Sequence, residues 1–165
     1  MTTTTASGSR EVPEPRDVVW QALAVLAPYC PVCDVSYVVA GSGPPGKGTR
    51  FACVPGRLAG GQAPRAGAPE GEILEWRPRR AVTTRLELTP ETWTTRIELD
   101  DAEGGGTRVT VTVGHEPRRK NRLVDRVLRS SVQRLVESTV HGELAKLPEH
   151  VARVAAERGE DPPVG

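Results

Sequence analysis

Aromatic residues are scarce in this chain. Three Trp, two Tyr and one Phe make up 4 % of its 165 residues. Each ring is therefore either placed with purpose or fills much of a small core. No run of about 18 apolar residues occurs, which excludes a membrane-spanning helix. Neither sign of charge dominates: 22 Lys and Arg face 21 Asp and Glu, a net charge of +1. No global field draws such a chain to nucleic acid or to an anionic membrane. The segment Met1 to Gly8 lacks the charged-then-apolar pattern of a signal peptide, so a cytoplasmic location is the expectation.

Glycine (17) and proline (15) are frequent, and they punctuate a change of period. From Val35 to Glu116 apolar residues recur at every second position. From Arg119 they recur at every third or fourth, with no glycine until Gly142. This pattern predicts a curved antiparallel sheet followed by one long amphipathic helix packed onto it. Two such layers enclose a space, and function is expected there. The length suits a single domain with a real core, expected over residues 1–158, with a disordered tail over 159–165.

The second half of Thr2 to Val12 reads as a strand. Pro15-Arg16-Asp17 opens a short helix, because Pro is tolerated in a first turn and Asp17 suits the positive end of the dipole. Val19, Leu23 and Leu26 share one face, and Pro28 and Pro31 end the helix. Strands are expected at Val35–Ala40, Thr49–Val54, Gly71–Trp76, Ala81–Leu88, Glu91–Leu99 and Thr107–Glu116. Gly41 to Gly48 reads as a hairpin loop, and Pro55 to Pro69, without periodicity, as a long mobile loop over one mouth of the sheet. The last helix carries Val124, Leu128, Val132, Leu135, Val136, Val140, Leu144 and Leu147 on one stripe. Pro148 is expected to kink or break it, at a cost of roughly 3 kcal/mol for a straight continuation.

Two local motifs invite chemistry. Gly41-Ser-Gly-Pro-Pro-Gly46-Lys47-Gly48-Thr49 nearly spells a phosphate-binding loop. However, Gly48 stands where Ser or Thr must follow the Lys, and a strand follows where a helix is needed. A plain hairpin is the reading. Cys30-Pro-Val-Cys33 lies near Cys53 if the hairpin is centred near Pro44, which would set Cys53 opposite Val35 or Ser36. Buried structural thiols, a disulfide and a metal site are the three readings, the first being the default in a reducing compartment.

The order strand, helix, short helix, six strands and long C-terminal helix resembles the START-like (SRPBCC) superfamily, and within it the polyketide cyclase/dehydrase-like group. The residues that carry this are Val12-Pro-Glu-Pro-Arg-Asp-Val-Val-Trp20, Gly46-Lys-Gly-Thr-Arg50, Gly71-Glu-Ile-Leu-Glu75 and Gly105-Gly-Thr-Arg-Val-Thr110. The resemblance spans nearly the whole chain. It implies an α+β helix-grip fold: a curved antiparallel seven-stranded sheet wrapped around a long C-terminal helix, with two short helices after the first strand. It also implies a deep apolar cavity for lipids, polyketides or other hydrophobic molecules. Some members catalyse cyclisation or dehydration and many only bind. Cys30 to Cys33 departs from the pattern, which commonly has an aromatic residue there, and no family catalytic constellation transfers position by position.

Candidate site residues follow from the alternation. His115 continues Val109, Val111 and Val113 toward the concave face. It is either an acid or base or a hydrogen-bonded residue at a strand's end. In a cofactor-free cyclisation His115 would shuttle protons while Tyr37 and Arg50 steadied an enolate. Arg50 and Arg85 each either reach such a group or, the reading placed first, lie on the surface. Trp76, Thr84, Trp93, Thr95, Val111, Val113, Leu128 and Leu135 are expected to line the ligand cavity; the plainer alternative is that they fill the core. His141 and His150 are expected at the surface or at an interface. Arg118, Arg119, Lys120, Arg122, Arg126, Arg129 and Arg134 form either a solvated face or a dock for an acidic partner such as an acyl-carrier protein. With no aromatic among them, nucleic acid is not the expected partner.

Overall fold

The computed structural model describes residues 3–23, 29–31, 34–59, 63–64, 66–88, 91–117 and 122–160 (for Arg122, Asp125 and Glu160 the backbone only). Strand β1 (Thr4–Val12) leads to helix α1 (Arg16–Leu23) and a two-residue strand β2 (Tyr29–Cys30). Six strands follow: β3 (Val35–Val39), β4 (Arg50–Pro55), β5 (Glu70–Arg77), β6 (Ala81–Leu88), β7 (Glu91–Asp101) and β8 (Thr107–Pro117). Helix α2 (Arg122–Glu160) closes the chain. All eight strands form one antiparallel sheet in the order β1-β8-β7-β6-β5-β4-β3-β2, curled into a half-barrel.

The count is eight strands rather than seven because Tyr29–Cys30 pairs with Val35 and Ser36. Two residues flanked by Pro28 and Pro31 are too short to show a period. The positions of Leu26, Pro28, Cys33 and the stretch Arg118 to Lys120 lie outside the described residues, as do 161–165. Among the described residues no second short helix occurs between β1 and β3. Hairpin β3–β4 pairs Val39 with Phe51 and Tyr37 with Cys53. Its centre lies one residue later than Pro44, so Cys53 meets Tyr37 and not Val35 or Ser36. A shift of the centre by one moves the partner by two, which preserves the face. The loop after β4 starts pinned: Ser36 Oγ donates to Gly56 O at 2.7 Å and accepts from Leu58 N–H at 3.0 Å.

Inward parity builds the main core. Val109, Val111 and Val113 of β8 are at most 3 % exposed. Val136, Val140, Leu147 and Val151 of α2 pack on them together with Val12, Val19 and Leu99. Helix α2 crosses β1 at Gly8, where an added Cβ would stand 2.9 Å from Leu144 Cδ1 and 3.0 Å from Val140 Cγ1. The C-terminal half of α2 is also tied to α1. His150 Nε2 lies 2.9 Å from Ala22 O, a carbonyl in the last turn of α1, and Arg158 pairs with Asp17 at 3.2 Å. His150 is thus an interface residue.

The expected break at Pro148 does not occur; α2 is one helix of 39 residues with Pro148 inside it. Proline has no N–H for the carbonyl four residues back, that of Leu144. Arg10 of β1 supplies a substitute: its Nη1 donates to Leu144 O at 3.3 Å. Leu147 and Val151, buried on either side, hold the turn in place. The two effects should be coupled. Arg10→Met should cost about 1 kcal/mol in the natural chain and close to nothing in a Pro148→Ala background, where the alanine N–H serves the Leu144 carbonyl instead. Equal losses in both backgrounds, read by chemical denaturation, would refute this account.

Candidate functional site: a cavity between sheet and helix

A cavity of about 330 Å³ opens between the concave face of the sheet, α1 and the middle of α2. Sheet register sets its wall in rows. One row runs Val82, Ile97 and Val111; the next runs Thr84, Thr95 and Val113; a third begins with Leu86 and Trp93. Phe51, Tyr37 and Cys53 continue the wall across β3 and β4. Tyr37 meets Phe51 edge-on, with centroids 5.5 Å apart. Phe51 lies over Gly71, where an added Cβ would come 2.4 Å from its ring. Burial pushes the Cys53 thiol up to about 11, so it stays a neutral, inert part of the wall at physiological pH. Cys30 also lines the cavity, whereas Cys33 lies outside the described residues. No group of three metal-ligating side chains occurs among the described residues.

Six of the expected site residues line this cavity: Tyr37, Thr84, Trp93, Thr95, Val111 and Val113. Five do not. Arg50 is on the outer face, 68 % exposed in its side chain and 3.5 Å from Glu70, because Phe51 and Cys53 take the inward positions of β4. Trp76 does not line the cavity although the bulge between Ile73 and Glu75 sets it opposite Val82; it is partly buried and packs on the Phe51, Ile73 and Val82 cluster, its ring 5.0 Å from that of Trp20. Leu128 and Leu135 are 48 % and 51 % exposed: the described residues of α2 up to Ser131 are all exposed, and Leu135 faces away from the core beside the fully buried Val136. Leu123, Val124 and Val127 are exposed there too, beside the exposed Arg126 and Arg129.

His115 is 3 % exposed but does not line the cavity. It pairs with Trp93 across β7–β8, and the two rings meet edge-on at 4.9 Å. Its Nε2 lies 3.2 Å from Glu91 Oε2, which also accepts from Trp93 Nε1–H at 3.2 Å. The tautomer protonated on Nε2 can donate to Glu91, which leaves Nδ1, buried and without a hydrogen-bond partner among the described residues, as a bare acceptor. In this arrangement His115 and Glu91 hold the Trp93 indole as a fixed panel of the wall. The catalytic trio read from the sequence is not assembled: Tyr37 is on the wall, His115 is against Trp93, and Arg50 faces solvent.

Among the lining residues that were not foreseen are two polar ones on α2, Thr139 and Glu143. Their signal was available. They stand four apart within the buried stripe Val136, Val140, Leu144 and Leu147, where apolar residues would ordinarily be found. Arg85 and Arg96 lie on the convex face instead, with Glu72, Glu75 and Glu98 as partners.

No family model matches the chain, and no curated protein matches it. Solved structures do. An aromatase/cyclase, Zhui from Streptomyces sp. R1128, superposes with a TM-score of 0.69 at 14 % identity, covering 96 % of this chain and 99 % of its own. TTHA0849 from Thermus thermophilus gives 0.65 at 23 % identity, covering 92 % and 99 %. Ara h 8.0201 gives 0.55 at 15 % identity, covering 88 % and 98 %. At these identities the likeness is one of fold. The chain has the START-like helix-grip fold, with an apolar hollow under its long helix.

Proposed function

We propose that this protein binds a hydrophobic small molecule, polyketide- or lipid-like, in the cavity between the sheet and α2. The observation that carries the reading is the cavity itself. Water in an apolar hollow of about 330 Å³ forms few hydrogen bonds, and an apolar ligand that replaces it removes that penalty. The hydroxyls of Thr84, Thr95 and Tyr37 can orient a carbonyl or hydroxyl group on such a molecule.

Binding without turnover is favoured over cofactor-free cyclisation because the proton shuttle and the cation that cyclisation would use stand away from the cavity wall. Cyclisation by positioning alone would require only the shape of the wall. Docking of an acyl-carrier protein or other acidic partner on Arg126 and Arg129 is compatible with either version.

Titration with Nile red, a neutral apolar probe, tests the proposal. Enhanced, blue-shifted emission saturating at one probe per chain, and reversed by an unlabelled apolar competitor, is expected. Absence of saturable emission from folded protein would overturn it.

A further inference from the structure

We propose that the first turns of α2 are a docking surface for an anionic lipid bilayer, with Val124, Val127, Leu128 and Leu135 entering the acyl boundary and Arg126 and Arg129 meeting the lipid phosphates. This goes beyond the binding reading above and concerns a part of α2 that does not line the cavity.

Apolar residues are open here on the side of the helix that would ordinarily be polar. Val127 precedes the fully buried Val136 by about two and a half turns, so it points directly away from the core, and it is 77 % exposed. Val127, Ser131 and Leu135 form one row along the outside of the helix, and Val124 and Leu128 form the next. At about 100° per residue, the four apolar side chains fall within a sector about 100° wide. Every described residue from Leu123 to Ser131 is exposed, so the helix is open to solvent along this stretch.

The charges suit the same surface. Between Pro117 and Glu137 the sequence carries seven Lys and Arg against one acidic residue, a concentration hidden by the net charge of +1 for the whole chain. On the sheet, Arg50, Arg85, Arg96 and Arg108 each pair with a glutamate. Arg126, Arg129 and Arg134 are exposed and have no ion-pair partner among the described residues. Arg126 and Arg129 stand opposite the apolar sector. Arg134 stands at its margin, where a long stem lets the guanidinium reach outward.

This opposition selects the partner. A globular acidic protein meets a helix from one side, and would touch the apolar sector or the two arginines but not both. A helix lying in a bilayer interface is surrounded: its apolar side enters the acyl region while its basic side stays among anionic headgroups. The surface also runs on into the cavity wall. Leu135 O accepts the hydroxyl of Thr139, a lining residue one turn later. A membrane that holds these turns therefore stands next to the hollow assigned above to an apolar cargo.

Co-sedimentation with vesicles at low salt tests the inference, with phosphatidylcholine alone and with equal parts of phosphatidylcholine and phosphatidylglycerol. The natural chain should bind the mixed vesicles about tenfold more tightly or better, and salt at about 1 M, where the Debye length is about 3 Å, should remove that preference. Arg126→Gln with Arg129→Gln should weaken binding to the mixed vesicles by about twentyfold, at roughly fivefold for each cation. Val127→Ser with Leu128→Ser should weaken it by about tenfold, because apolar burial is lost while the charge is kept. Arg50→Gln with Arg85→Gln, which removes the same charge from the convex face, should bind like the natural chain. All three variants change surface residues, so Nile red affinity, measured without vesicles, should be unaltered. No binding of the folded natural chain to the mixed vesicles would overturn the inference and leave the patch to an acidic protein. Unweakened binding by the Val127→Ser, Leu128→Ser protein would overturn it in favour of charge attraction alone. Failure of Nile red to bind would overturn the cavity reading and leave the docking surface standing.

Discussion

Thr84→Phe should weaken Nile red binding by about a hundredfold or more, a loss of roughly 2.7 kcal/mol, while leaving the melting temperature at or above that of the natural chain. Thr84 sits mid-wall, opposite Thr95, and its side chain points into open space. A benzyl group there occupies volume the ligand would need. It also buries apolar surface against Ile97, Val113 and their neighbours, which offsets the lost hydroxyl. Filling a hollow differs from crowding a packed core, because no neighbour has to move. Arg50→Ala, on the convex face, is the matched control and should leave affinity unchanged. If folded Thr84→Phe bound the probe as well as the natural chain, the probe would be binding elsewhere and the cavity would lose its assigned role.

The second large effect concerns the junction that aligns β1 with β8. Gly106→Ala should destabilise the protein by about 3 kcal/mol and lower its melting temperature by roughly 6–12 °C. An added Cβ would stand 2.3 Å from Val12 O and 3.2 Å from Pro13 Cα, both backbone atoms that cannot rotate away. The backbone at Gly106 is extended (φ −81°), so the cost comes from close approach and not from the dihedral. Gly142→Ala provides the contrast. Its Cβ would meet nothing within 4 Å, and Ala exceeds Gly in helix propensity by about 1 kcal/mol, so stability should rise. Thermal or denaturant unfolding of the two variants tests the pair, and a Gly106→Ala protein as stable as the natural chain would show that the junction gives way easily.

The sheet was legible because most of its strands alternate cleanly. Thr107–Pro117 shows buried and more exposed residues in strict turn, and the same parity places Thr84, Thr95 and Val113 inward without any coordinates. Parity was equally available for Arg50, since Phe51 and Cys53 cannot both face inward unless Arg50 faces out. Its assignment to the site came from chemical appeal and not from register. Trp76 is a different kind of case: strict alternation from Gly71 and Ile73 would turn it outward, the bulge between Ile73 and Glu75 sets it opposite Val82, and there it packs on Trp20 instead of lining the cavity, a contact that nothing local in Gly71-Glu-Ile-Leu-Glu-Trp76 announces. For α2, periodicity identified the helix but not how far the sheet extends beneath it. Leu128 and Leu147 therefore look alike in sequence, though one is 48 % exposed and the other 2 %. Pro148 was read as a kink or break because its compensation comes from Arg10, distant in sequence and close only in the fold.

The position of β1 carries a consequence for biosynthesis. Its one neighbour in the sheet is β8, with Thr4 opposite His115 and Val12 opposite Thr107. The first strand to leave the ribosome therefore waits unpaired until nearly all of the remaining strands have been translated, and α2 arrives later still. Such distant pairing raises the entropy lost at closure and slows folding. The hollow has no roof until α2 has followed the strands out of the ribosome, so a cargo molecule can stabilise the folded domain by mass action but cannot template the strands that precede that helix.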